Sequence, residues 1–104
     1  MIFCTDDFLI TLNKKYLNHD YYTDILTFNL SNIHRVINAE IYISIERVKY
    51  NSALFNFLFI NELYRVMIHG ILHLCGYNDK SKSGKIRMTQ KENFYLSLID
   101  DCFT

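Results

Sequence analysis

The sequence predicts a small α+β domain in which helices flank a small sheet. Two observations carry that reading. Apolar residues recur at helical spacing in four separate stretches. Between the first and second of these, two short stretches have the side-chain alternation of half-buried strands. A third observation sets the scale: 104 residues, 50% of them hydrophobic, suit one domain with one core. No repeat, low-complexity tract or Pro/Gly linker interrupts them, so residues 1–104 are read as one domain.

Thr5 can cap a first helix whose opening turn carries Asp6 and Asp7, the sign favoured at a helix N-terminus. Phe8, Leu9, Leu12 and Tyr16 follow at helical spacing and extend it over about 6–17. Thr23 to Leu30 reads as a strand with Leu26, Phe28 and Leu30 on one face. Ala39 to Ile45 alternates more cleanly, with Ile41, Ile43 and Ile45 opposite Glu40, Tyr42 and Ser44. Ser31 to Asn38 reads as a loop closing these two strands into a hairpin. From Glu46 to about Phe55 the pattern is helical again. Asn61 can cap a third helix with Glu62 in its first turn. Leu63, Val66, Met67, Ile71, Leu72 and Leu74 make this helix apolar on more than one face, as in a largely buried helix, and Gly76 is suited to end it. Ser83 can cap a last helix over roughly 84–99.

Composition excludes several classes. With Lys+Arg 11 against Asp+Glu 11, the chain is neither a disordered tail nor a histone-like polycation. The most apolar run, Ala53 to Ile60, is broken by Asn56 and falls well short of the ~20 residues of a membrane span. Met1 to Asp7 lacks the pattern of a signal peptide. Cys4, Cys75 and Cys102 are unevenly spaced, which suits a reducing, cytoplasmic setting. The 8 Tyr and 8 Phe accompany abundant Ile, Asn and Lys, so they read as AT-rich codon bias rather than as base-stacking surfaces.

Chemistry concentrates on the third helix, in His69-Gly70-Ile71-Leu72-His73-Leu74-Cys75-Gly76-Tyr77-Asn78-Asp79. Two histidines four residues apart lie about 40° apart around a helix axis, so their rings converge. Gly76 allows a tight exit, and Asp79 follows close enough to swing back. Two neutral imidazoles and a carboxylate would leave a fourth position for water, the open arrangement of a catalytic zinc. The other reading of the same spacing is two hydrogen-bonded core histidines with Asp79 as a turn residue. Cys75 projects away from the ligand face. Gly70 stands where a His-Glu-x-x-His protease needs its glutamate, which disfavours peptidase chemistry and marks a close approach instead. Lys80, Lys82, Lys85, Arg87 and Lys91 follow with no acidic residue before Glu92, as suits a polyanionic substrate or an ordinary solvated face. His19 and His34 read as ordinary polar residues in or near loops.

The His69–Asp79 segment resembles the signature of the YbeY family of zinc-dependent bacterial endoribonucleases, His-Gly-x-Leu-His-Leu-x-Gly-Tyr-Asp-His. Leu12-Asn13 with Tyr16 and Asp20, then Thr23 to Phe28, is similar to its stretch ending in Leu-Ser-Phe-Pro. Ala39 to Ser44 is similar to its Gly-Asp-Ile-x-Ile strand, and Met88 with Glu92 to its closing helix. The resemblance implies an α+β fold with a small mixed sheet and a metal cleft at the end of the long buried helix. It implies one zinc ion, or another divalent metal, held by His69, His73 and Asp79, with the two histidines acting through metal-bound water. Lys80, Lys82, Lys85 and Arg87 would hold RNA. The implied function is single-strand-specific cleavage in 70S ribosome quality control and 16S rRNA 3′-end maturation. The implied partners are ribosomal RNA and the small subunit, with ribosomal proteins or an assembly GTPase as further candidates, and no membrane.

Three departures stand out. Asp79 takes the place of the family's third histidine. Leu17 takes the place of an arginine that would stabilise phosphoryl charge. The chain also begins about where the family would be finishing its second strand, which would leave an uncovered sheet edge. Leu17 motivates an alternative, a non-catalytic, metal-containing ribosome-assembly factor. The open coordination position alone would also suit a small-molecule metallohydrolase. Glu40 and Asp24 are candidates for orienting a ligand histidine.

Overall fold

The computed structural model describes residues 1–17, 22–30 and 39–103, with side chains as far as Ile99. Its elements are β1 (Ile2–Cys4), α1 (Asp6–Leu17), β2 (Ile25–Asn29), β3 (Ala39–Ser44), α2 (Ile45–Leu54), α3 (Phe59–Leu74) and α4 (Lys82–Phe103). The expected α+β architecture is present, and its sheet is mixed. β3 lies in the middle, parallel to β1 and antiparallel to β2. His19, Asp20, His34 and the loop at 31–38 lie outside the described residues.

The pleat decides which helix each strand residue meets. Leu26 pairs across from Tyr42 and Phe28 from Glu40, so these four share one face. There α1 packs, with Phe8 against Tyr42 and Tyr16 edge-on to Phe28. The other face carries Ile25, Thr27, Ile41 and Ile43, and α3 lies across it. Ile41 and Ile43 are buried with Val48 of α2 and Val66 of α3, and Leu63, Met67 and Leu74 pack around them. Gly70 makes this contact close: a Cβ there would stand 2.6 Å from Ile25 Cδ1 and 3.4 Å from Ile41 Cγ2. The close approach expected at this glycine is therefore to the sheet.

Local chemistry explains the element ends. Thr5 Oγ1 accepts from Phe8 N–H and caps α1. Ser44 ends β3 and caps α2 by accepting from Arg47 N–H. Its hydroxyl donates to Asp6 Oδ1, and Arg47 Nη2 reaches Asp6 Oδ2 at 2.6 Å, joining the starts of α1 and α2.

Two caps differ from expectation. α3 begins at Phe59 with Leu58 as a cap that offers no side-chain bond, not at Asn61. The reason is the exit from α2. Asn56 adopts φ 60°, Asn56 N–H donates to Ala53 O and Phe57 N–H to Ser52 O. This Schellman turn reverses the chain early enough for α3 to start three residues sooner. α4 likewise begins at Lys82, because Ser81 rather than Ser83 caps it, accepting from Gly84 N–H at 3.0 Å.

Candidate metal centre

The end of α3 places both histidines by one turn of backbone. Gly76 adopts φ 99°, Gly76 N–H donates to His73 O, and Tyr77 N–H donates to Leu72 O. This is a second Schellman turn, at the glycine the sequence marks as the helix terminator. It brings the Tyr77 carbonyl to within 3.1 Å of His73 Nδ1. A carbonyl only accepts, so that Nδ1 carries the proton and the neutral ring presents a bare Nε2. At His69, Nδ1 lies 2.7 Å from Glu92 Oε2 of α4, which assigns the same tautomer. This bond is the main reason the His69 pKa lies above its ordinary range, against the opposing effect of burial.

The consequence is a convergence of lone pairs. His69 Nε2 and His73 Nε2 face each other at 2.9 Å. Asp79 Oδ2 stands 3.5 Å from the first and 3.8 Å from the second. A tetrahedral ion with bonds of about 2.0–2.1 Å holds neighbouring donor atoms about 3.3–3.4 Å apart. The three spacings bracket that edge, so one ion fits between the three groups. The two histidines are hydrogen-bonded, as the one reading expects, and with Asp79 they also lie close enough together to hold one ion, as the other expects. The Asp79 side chain is 41% exposed, so the position opens to solvent.

Glu92 and the Tyr77 carbonyl, rather than Glu40 or Asp24, orient the ligand histidines. Glu40 accepts from Tyr42 OH on the α1 side of the sheet. Asp24 lies near His69 but bonds neither ring, and its backbone carbonyl accepts from Ser44 N–H. Glu92 is itself buried and held by Arg65 Nη1 at 3.1 Å, while Arg65 Nη2 donates to Asn93 Oδ1. No local pattern marks Glu92 for this task. It lies 23 residues from His69, and only the packing of α4 on α3 brings them together. Cys75 is an exposed free thiol outside the ligand group.

The basic residues lie beside this centre in chain order, Lys80 in the turn before α4 and Lys82, Lys85 and Arg87 in its first turns, all exposed. Leu17, where the resemblance expects an arginine, is the exposed last residue of α1. Gly84 ties α4 to the ligand-bearing turn, because a Cβ there would stand 2.6 Å from the Asn78 carbonyl oxygen. That neighbour is backbone, next to Asp79. Gly84→Ala is therefore expected to push Asp79 off the triad and weaken metal affinity about tenfold. Helix propensity moves the other way, favouring alanine by about 1 kcal/mol. Chelator-competition titration beside thermal melts of metal-free protein separates the two effects.

Residues 1–100 match the family model described as endoribonuclease YbeY. The chain belongs to the YbeY family. The endoribonuclease YbeY of Karelsulcia muelleri is 52% identical over 98 residues, which cover 94% of this chain and 69% of the relative. That of Cytophaga hutchinsonii is 48% identical over 97 residues, covering 93% and 68%. Among solved structures, the solution structure of TM1509 from Thermotoga maritima superposes with a TM-score of 0.66 at 35% identity. It covers 91% of this chain and 63% of that protein, so this chain spans about two thirds of its YbeY relatives' length. No helix among the described residues is long and apolar enough to cross a membrane.

Proposed function

We propose that this YbeY-family protein is a metal-dependent, single-strand-specific endoribonuclease, cytoplasmic, acting in 70S ribosome quality control and in 16S rRNA 3′-end maturation. The observation that carries the reading is the meeting of three donor atoms, on His69, His73 and Asp79, at a spacing close to tetrahedral and open to solvent. The relatives' name and the basic stretch beside the triad support RNA as the substrate.

Zinc suits two imidazoles and one carboxylate. Asp79 in place of a histidine adds a negative charge and a harder ligand, which widens tolerance toward other divalent metals. When bound, such an ion supplies Lewis acidity for attack on a phosphodiester. The chain's own groups do the rest. Glu92 and the Tyr77 carbonyl hold the Nδ1 protons of the two rings, so both Nε2 atoms stay free. Lys80, Lys82, Lys85 and Arg87 hold the RNA backbone. Ribosomal RNA and the small subunit are the proposed partners, with ribosomal proteins or an assembly GTPase beside them.

Incubation of metal-loaded protein with single- and double-stranded rRNA precursor fragments tests the reading. Metal-dependent cleavage confined to the single-stranded fragments is expected. Salt-sensitive binding to small subunits with no cleavage under any divalent metal would favour the assembly-factor reading, which Leu17 motivates. The basic stretch has its own test. Neutralising Lys80, Lys82, Lys85 and Arg87 together is expected to flatten the slope of log affinity against log salt by about 3, since each contact to a single strand contributes roughly 0.7.

A further inference from the structure

Beside the triad, on the Nδ1 side of His69, the molecule gathers further acids, two of which, half-buried Asp24 and buried Glu62, the proposed reaction does not use. Asp24, Glu62, Arg65, His69 and Glu92 line a cavity of about 230 Å³. Glu62 is 7% exposed, and its carboxylate makes no hydrogen bond or ion pair among the described residues. Arg65 gives its hydrogen bonds to Glu92 and Asn93 while its charge also favours the Glu62 carboxylate, and Asp24 feels His69 and an Arg47 that is paired with Asp6. With His69 neutral as a metal ligand, Asp24, Glu62 and Glu92 are left with Arg65 and the already paired Arg47. Burial holds the carboxyls of Asp24 and Glu62 above their ordinary range, and at Glu62 the Asp24 charge adds to it.

A buried carboxylate that no donor contacts settles by taking a proton or by taking a cation. Glu92 is committed to His69 and Arg65, which leaves Asp24 and Glu62. We propose that Asp24 and Glu62 form a second cation subsite, distinct from the triad, for a hydrated divalent ion of the magnesium class. The donors are all oxygen, and such ions are bound through one or two carboxylates while keeping several waters. At about 30 Å³ of liquid volume per water, the cavity accommodates the ion with a partial hydration shell. The ligand chemistry differs from that of the nitrogen-rich triad, so the two sites select different metals.

The test titrates zinc-loaded protein with Mn²⁺ and follows free Mn²⁺ by electron paramagnetic resonance, with no RNA present. One Mn²⁺ per chain is expected beyond the zinc. Its affinity falls at least about tenfold in Glu62→Gln and in Asp24→Asn and persists in His73→Ala. Glu62→Gln keeps the shape and removes a charge that no hydrogen bond or ion pair holds, and circular dichroism checks that both acid variants fold. Absence of Mn²⁺ binding in the wild type, or equal binding by Glu62→Gln, overturns the subsite and leaves a shared proton as what neutralises the pair. Zinc content reports on the triad separately, so the subsite and the nuclease reading fail by different readouts.

Discussion

His73→Ala is expected to leave a protein that folds but carries no stoichiometric zinc and cleaves RNA at least about a thousandfold more slowly. The ring contributes one of three ligands, and two remaining donors do not hold an ion in an open site. Metal stabilisation of transition-state charge is worth several kcal/mol, and each 1.36 kcal/mol is a factor of ten. Folding is spared because the His73 side chain is 33% exposed and bonds only the Tyr77 carbonyl apart from its partners in the triad. Metal analysis by mass spectrometry, melting curves and cleavage of an rRNA precursor measure the three quantities separately. Equal cleavage by wild type and His73→Ala would reject the catalytic assignment.

Glu92→Ala is expected to cost about 10–100-fold in metal affinity although Glu92 is not a ligand. Its carboxylate does two things at once: it holds the Nδ1 proton of His69 and it neutralises Arg65. Without it, the His69 ring is free to rotate and to move its proton to Nε2, where it competes with the ion. Glu92→Gln separates the roles. Its amide oxygen can still accept from His69, so orientation is kept, while the negative charge that strengthens the ring as a donor is lost. Its affinity is expected between those of wild type and Glu92→Ala. Chelator-competition titration of the three proteins gives that order, and equal affinities would remove Glu92 from the site.

Much of this was legible before any coordinates. The 3.6-residue spacing of Phe8, Leu9, Leu12 and Tyr16 matches α1, the alternation around Ile41 and Ile43 matches β3, and Gly76 ends α3 in the left-handed turn expected of it. These features are local: each depends on neighbours within one helical turn or one pleat. The errors were also local in origin. Asn61 and Ser83 are good capping residues, but the turn at Asn56 and the hydroxyl of Ser81 set the helix starts first. Glu40 and Asp24 were acids near the right strands, yet strand pairing sends Glu40 to the α1 face and α4 supplies Glu92 instead.

The sequence by itself determined which three candidate ligands meet, because a helix brings residues four apart onto one line and Gly76 lets Asp79 return to it. Only the tertiary structure decided which ring nitrogens face the candidate metal position. That choice rests on a proton held at each Nδ1, and the group holding it on His69 arrives from another helix. Likewise, an acid's place in the chain does not reveal whether it will be buried without a partner. Glu62 reads as a first-turn helix residue, and in the fold it is buried with no hydrogen bond or ion pair to its carboxylate among the described residues.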